Sequence, residues 1–223
     1  MRKISKRIEK RDLSSNKYLA ITSKLDSSFK EEFPFLTKLD TNNSLEGYLF
    51  PDTYDITGGK EIDLVYLQLK RFENTIYEAW QNKPADWKMS LNQTLTLASI
   101  VELEAQKPSE RAVIAGVFVN RLKQGIPLGS DPTVEYALGW HQSAKGLSLN
   151  DVKVNSAYNT YKNAGLPPGP ISNPGLAAFK ATLKYDNTPY LYFVAKGDGS
   201  HVFTRTYSEH LHAQSLIIKN RIK

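Results

Sequence analysis

Apolar residues recur at helical intervals through most of this chain and run as strand-like segments only near its C-terminal end. Ile4, Ile8 and Leu13 mark the apolar edge of a short amphipathic helix over residues 3–11, and a second is expected over 16–25. Residues 61–81 carry Leu64, Leu67, Leu69, Phe72, Ile76 and Trp80 as an imperfect stripe, which predicts a longer helix. A helical hairpin follows. Its first arm spans 91–105, with Leu97, Ile100, Val101 and Glu104 at i, i+3, i+4 and i+7 on one face. Ser109 reads as the cap of the second arm, which runs to Lys123 and stops at Gly125. Val113, Ile114, Val117, Phe118 and Leu122 make its buried face, and Asn120 and Arg121 lie off that stripe.

Ser130-Asp-Pro opens a short helix that Gly139 ends. Residues 165–175, rich in Pro and Gly, can be neither helix nor central strand, because proline lacks a donor and fixes φ. Such a stiff loop suits a fixed cleft wall, although a plain connector would look the same. A helix is expected over 174–185, then a β-hairpin pairing 190–195 with 201–204 across Lys-Gly-Asp-Gly-Ser, then a C-terminal helix opened by Ser208. The fold class is therefore α+β: helices around the hairpin that carries Glu104, plus a small antiparallel sheet. Asp40-Thr-Asn-Asn-Ser44 is the best boundary, dividing residues 1–40 from a main domain over 41–223.

Composition narrows the chemistry. Of 223 residues, 40% are hydrophobic and 23% charged, which is ordinary for a globular chain. The 29 lysines and arginines against 23 acids suit an anionic partner. No basic stripe interleaved with aromatics accompanies them, so nucleic acid is not expected. Cysteine is absent, which removes disulfides, thiolate metal sites and a cysteine nucleophile. His210 and His212 stand two apart, wrong for one helix face, so no metal is expected. Phosphate-binding glycine loops and a serine nucleophile elbow are missing as well, and no cofactor is implied. The longest apolar run, residues 112–119, is too short to cross a membrane.

What remains is acid–base work on carboxylates. A carboxyl aimed into an apolar face loses hydration, and its pKa rises until it can hold a proton near neutrality. Glu104 is placed for that, whereas Glu102 lies about 200° around the helix and faces water or a cation such as Arg111. Lys107-Pro108 sits one turn on, so the pattern also allows Glu104 to reach out to water at the helix end.

Five blocks in this order resemble the YceG-like endolytic murein transglycosylases. They are Glu46-Gly-Tyr-Leu-Phe-Pro-Asp-Thr-Tyr54; Ala98-Ser-Ile-Val-Glu-Leu-Glu104; Val117-Phe-Val-Asn-Arg-Leu122 with Ser130-Asp-Pro-Thr-Val134; Tyr158-Asn-Thr-Tyr161 with the stiff loop; and Tyr190-Leu-Tyr-Phe-Val194 with Gly199-Ser-His-Val-Phe203. The resemblance implies cleavage of peptidoglycan glycan strands, with the second acid of the Ala-Ser-Ile-Val block, Glu104, as the catalytic residue. Relatives usually carry a basic residue between the two acids, where this chain has Leu103. The resemblance further implies a lytic reaction, in which Glu104 protonates the bond between N-acetylmuramic acid and N-acetylglucosamine. It then takes the muramic C6 hydroxyl proton as a 1,6-anhydro ring closes. Tyr158, Asn159, Thr160 and His201 are expected to bind sugar groups, with Asn120, Arg121, Asp131 and Thr133 on the opposite wall. The family also implies an N-terminal membrane helix, action on the extracytoplasmic face of the bacterial cytoplasmic membrane, and synthases or division and elongation proteins as partners. On that reading, residues 1–40 are a helical connection to a missing N-terminal region. Two other functions stay open: a non-catalytic wall-binding module, and a hydrolase pairing Glu104 with Asp131.

Overall fold

A computed structural model of the chain describes residues 1, 4, 7, 8, 13–39, 43–139 and 146–221. In chain order the elements are α1 (Ser15–Ser23), α2 (Ser27–Glu32), α3 (Glu61–Phe72, continued through a π turn Glu73–Tyr77 into Glu78–Gln81), α4 (Leu91–Glu104) and α5 (Arg111–Lys123). They continue as α6 (Asp131–Ala137), α7 (Leu176–Leu183), β1 (Tyr192–Ala195), β2 (His201–Thr204) and α8 (Tyr207–Arg221). The α+β class holds, with helices dominant and one small antiparallel pair of strands. Of the helix expected over 3–11, and of the polar cluster at 40–44, residues 3, 5, 6, 9–11 and 40–42 lie outside the described residues.

The helix that carries Glu104 organises the molecule. Ser90 caps α4: its hydroxyl accepts from the Gln93 amide at 3.2 Å, while the Gln93 side chain accepts from the Ser90 amide at 2.8 Å. Every residue from Thr94 to Val101 is buried, so α4 has no solvent face along its middle. This replaces the one-sided stripe expected from its sequence, and the cause is a double core. Leu95 and Ala98 join a cluster with Tyr48, Leu64, Phe72 and Ile76. Leu97, Ile100 and Val101 join a second with Ile114, Phe118, Leu128 and Ile171. The polar residues buried between them are satisfied locally. Thr94 and Thr96 donate to the carbonyls of Ser90 and Asn92 at 2.8 and 2.7 Å, and Ser99 to that of Thr96 at 2.7 Å.

The first core also holds Tyr18, Phe29, Phe33 and Leu36, all essentially inaccessible. Tyr18 donates to Gln68 of α3 at 2.8 Å. Among the described residues, then, the packing draws no boundary near residue 40, and the segment expected to be a connection is part of the core. Its physical reason is hydrophobic: burying three large aromatic side chains is worth several kcal/mol, which a solvated tether would forgo.

On the other arm of the hairpin, a 3-10 turn Pro108–Glu110 leads into α5 without a side-chain cap, so Ser109 does not cap it as expected. The Glu110 carboxylate turns instead to His201, accepting from its amide at 3.1 Å and lying 2.7 Å from Nδ1. Gly116 lets the Asp186 carbonyl lie against α5, where a Cβ would meet it at 2.3 Å. The stiff loop forms no helix or strand and is pinned to α4, since the Ile171 amide donates to Ser99 Oγ at 3.0 Å. β1 and β2 pair in the register Phe193↔Phe203, and Phe193 packs edge-on against Phe118 at 5.7 Å. Among the described residues, no helix is long and apolar enough to cross a membrane.

Candidate active site

Glu104 is the last residue of α4, so its side chain leaves a helix buried on all sides exactly where that helix ends. Its carboxyl is half-buried and pushed up to about 7. Loss of hydration is the largest cause, and the negative charges of Asp131 and Glu135 add to it. Ser130, whose hydroxyl donates to Oε1 at 2.6 Å, and the Arg121 guanidinium pull in the opposite direction. The partial negative charge at a helix C-terminus further disfavours the anion. Of the two placements the sequence allowed, the structure shows a half-buried acid at a helix end, reached through burial of α4 from Thr94 to Val101 and not through an apolar stripe.

Ser130 stands just before α6 and is buried. Its amide donates to Thr160 Oγ1 at 3.0 Å, and its carbonyl accepts from Thr133 Oγ1 at 2.6 Å. The two threonine hydroxyls lie 2.8 Å apart. Thr133 and Thr160 are thus brought beside the acid's partner, but as inward-facing residues that hold Ser130, not as groups open to a sugar. Asp131 is exposed beside Glu104 and accepts from the Tyr161 hydroxyl at 2.6 Å. Arg121 forms another side. Its Nε donates to the Leu191 carbonyl at 2.6 Å, its Nη1 donates to Pro127 and Leu128 at 3.1 and 2.8 Å, and its guanidinium lies 4.8 Å over the Tyr192 ring.

The remaining expected residues act further back. Asn159 is fully buried: its amide donates to the carbonyls of Val152 and Val154 at 2.9 and 2.8 Å, and its oxygen accepts from the Tyr161 amide at 3.0 Å. Asn120 donates to Thr188 and Tyr190 at 2.7 and 3.0 Å, tying α5 to the approach of β1. Neither keeps a free side-chain N–H for a sugar. The His201 ring is buried against Glu110 and Phe193. Tyr158 is half-buried against Tyr136, with centroids 4.8 Å apart. Glu102 takes the Gly175 amide at 3.2 Å and faces Arg111 at 4.0 Å, away from Glu104.

Sequence reasoning gave Ser130 no role beyond opening a helix, met Tyr161 and Tyr192 only within longer blocks, and passed over Glu135. A serine before Asp-Pro reads as a helix cap, and nothing local says that its hydroxyl turns elsewhere. Among the described residues, no group of three His, Cys, Asp or Glu side chains is placed to hold a metal ion.

Fold and site together define an α+β domain with a half-buried glutamate of raised proton affinity at the end of α4. The sequence profile of the YceG-like family matches residues 1–215. The chain is 40% identical over 213 residues to the endolytic murein transglycosylase of Bacillus subtilis (strain 168), an alignment covering 90% of this chain and 58% of that protein. It is 36% identical over 156 residues to the endolytic murein transglycosylase of Streptococcus pneumoniae serotype 2 strain D39, covering 68% of this chain and 28% of the relative. The crystal structure of a yceG-like protein from Listeria monocytogenes matches with a TM-score of 0.83 and 35% identity, over 95% of this chain and 72% of that one. This chain belongs to the YceG-like family. It spans a little over half the length of the Bacillus relative.

Proposed function

We propose that this domain is an endolytic lytic transglycosylase that cuts peptidoglycan glycan strands between N-acetylmuramic acid and N-acetylglucosamine. The observation that carries the reading is Glu104, a half-buried carboxyl pushed up to about 7, in a chain whose relatives are named endolytic murein transglycosylases. At neutral pH such a group exists in both protonation states, which is what one residue acting first as acid and then as base requires.

Protonated Glu104 donates to the glycosidic oxygen as the bond from muramic C1 to that oxygen breaks, freeing the N-acetylglucosamine hydroxyl. The muramic C6 hydroxyl then bonds to C1, and its proton returns to Glu104. The acid is regenerated and no water is consumed. Ordinary glycosidases need a second carboxylate to activate water or to act as nucleophile. Here the substrate supplies its own nucleophile, already close to C1. Arg121 and the Asp131–Tyr161 pair form the accessible surroundings of the acid. Asn120, Thr133, Tyr158, Asn159, Thr160 and His201 support the walls. The polymer lies outside the cytoplasmic membrane, so action there, by an anchored protein working with peptidoglycan synthases and division or elongation proteins, follows from this reading.

Digestion of purified glycan strands, followed by mass spectrometry, tests it. Anhydro-muramic ends are expected. Reducing muramic ends would assign a hydrolase using Asp131 as second carboxylate, and intact strands would leave a binding module.

A further inference from the structure

We propose that Ser130 is a positioning residue that fixes which oxygen of the Glu104 carboxyl carries the transferable proton; the inference rests on the acid role given to Glu104 above. A serine at the start of a helix ordinarily turns its hydroxyl back to accept from an amide of the first turn. Ser130 does not: α6 begins without a side-chain cap, and the Thr133 amide bonds to the Ser130 carbonyl instead, at 3.2 Å. The hydroxyl points away from its own helix, onto an oxygen of Glu104, 26 positions earlier in the chain, at 2.6 Å.

The residue is held in that attitude from both sides. Its amide is fixed by Thr160 and its carbonyl by Thr133, the Gly129 amide donates to the Thr160 carbonyl at 3.0 Å, and Ser130 is only 1% exposed. A hydroxyl so anchored is a fixed donor with little freedom to follow the carboxyl if it moves.

A protonated carboxyl has one hydroxyl oxygen and one carbonyl oxygen. With Ser130 donating to Oε1, the acidic hydrogen belongs on Oε2, the oxygen left facing away from Ser130. Once that proton has gone to the glycosidic oxygen, the Ser130 bond persists on Oε1. The vacated lone pair on Oε2 then stands where the proton left. The same atom can therefore receive the C6 proton without rotation of the carboxyl. The hydrogen bond also steadies the anionic form, opposing burial. The charged and titratable groups around the acid are Asp131 and Glu135 of α6, Arg121 of α5 and Tyr161 of the loop after residue 158. All remain when only the Ser130 hydroxyl is removed.

The test uses the chain with carbon-13 in its glutamate carboxyls, the Glu104 signal being assigned by its loss in Glu104→Gln. In Ser130→Ala the NMR titration midpoint of Glu104 should move above the wild-type value. The kcat on glycan strands should fall about ten- to a hundredfold, as expected for one lost hydrogen bond to a reacting group, with KM unchanged within about twofold. Ser130→Thr, which restores a hydroxyl, should return the midpoint toward the wild-type value. A midpoint in Ser130→Ala that coincides with wild type overturns the proposal whatever happens to activity. So does a threonine variant that titrates like the alanine one. A wild-type protein that leaves strands intact would remove the enzyme reading, and the titration would still decide whether Ser130 holds Glu104.

Discussion

Replacing Glu104 by glutamine should make the protein more stable at alkaline pH while abolishing turnover. In the folded chain the carboxyl is pushed from 4.5 to about 7, so between those values the native state binds the proton that the unfolded chain releases. Stability contributed by this group is therefore full below 4.5, falls as pH rises, and is lost above 7. Each decade in an acidity constant corresponds to about 1.4 kcal/mol, so the full loss is up to about 3 kcal/mol. Glutamine never ionises, is nearly the same size, and keeps an oxygen for the Ser130 hydroxyl. The variant should then exceed wild type by up to about 3 kcal/mol at pH 8.5, with the gap closing as the pH falls toward 4. Urea unfolding of both proteins across that range measures it, and unchanged slopes would confirm that only stability differs. Every other titrating group is common to the pair, so it cancels. Equal stability at pH 8.5, or a gap that widens on acidification, would refute the burial argument on which the acid role stands. A stabilised and inactive variant would show a site held at the expense of stability.

If Glu104 acts as general acid, kcat/KM should fall about tenfold per pH unit above about 7, and a profile flat to pH 9 would contradict the assignment. Asn159→Ala should cost about 2–4 kcal/mol in urea unfolding, because it leaves two part-buried carbonyls and an amide without their partner and a hole at a fully buried position; an unchanged midpoint would mean that Asn159 does not hold the loop. Gly116→Ala should lower the melting temperature although alanine favours helix by about 1 kcal/mol, since the new Cβ would lie 2.3 Å from the Asp186 carbonyl; a raised value would show that this contact relaxes freely.

Much of the scaffold was legible because its signals are local. Proline and glycine set the loop over 165–175, Gly125 at φ +67 lies just past the end of α5, and two strand-like runs flanking Lys-Gly-Asp-Gly-Ser marked the β-hairpin. Helical spacing found α3, α4 and α5 within a few residues. The failures come from tertiary packing. A helix wedged between two cores shows no stripe, so the one-face reading of Leu97, Ile100 and Val101 does not describe α4, and Glu104 is raised by burial at the helix end instead. Residues 13–39 looked peripheral because their aromatics, Phe29, Phe33 and Phe35, are spaced for no single helix face; they are core because α1, α2 and a 3-10 turn at Pro34–Leu36 pack them against α3. The polar residues expected at the site lie near one another, several of them buried behind its surface. Asn120, Asn159, Thr133 and Thr160 are as specific as sugar ligands would be, yet their bonds run to backbone and to each other. A pattern of residue types cannot distinguish an amide that meets a ligand from one that pins the loop behind it.

The same distinction explains how one glutamate comes to sit near neutrality. Burial at the end of α4 alone would drive its proton affinity far upward, and the anions Asp131 and Glu135 push the same way. Against them stand a hydroxyl at 2.6 Å and a guanidinium, which keep the carboxylate accessible at physiological pH. Those opposing groups come from residue 121 of α5 and residues 130–135 at and just before α6, and each is useful only at the position the others leave it. Thr133, Thr160 and Asn159 matter because they hold α6 and its neighbouring loop so that Ser130, Asp131 and Glu135 meet Glu104 together. Displacing α6 would remove the hydrogen bond and both anions at once, and their effects on the acid would partly cancel. Substitutions behind the site should accordingly damage turnover more than they move the acid's titration, whereas removing Ser130 or Arg121 singly should move the titration plainly.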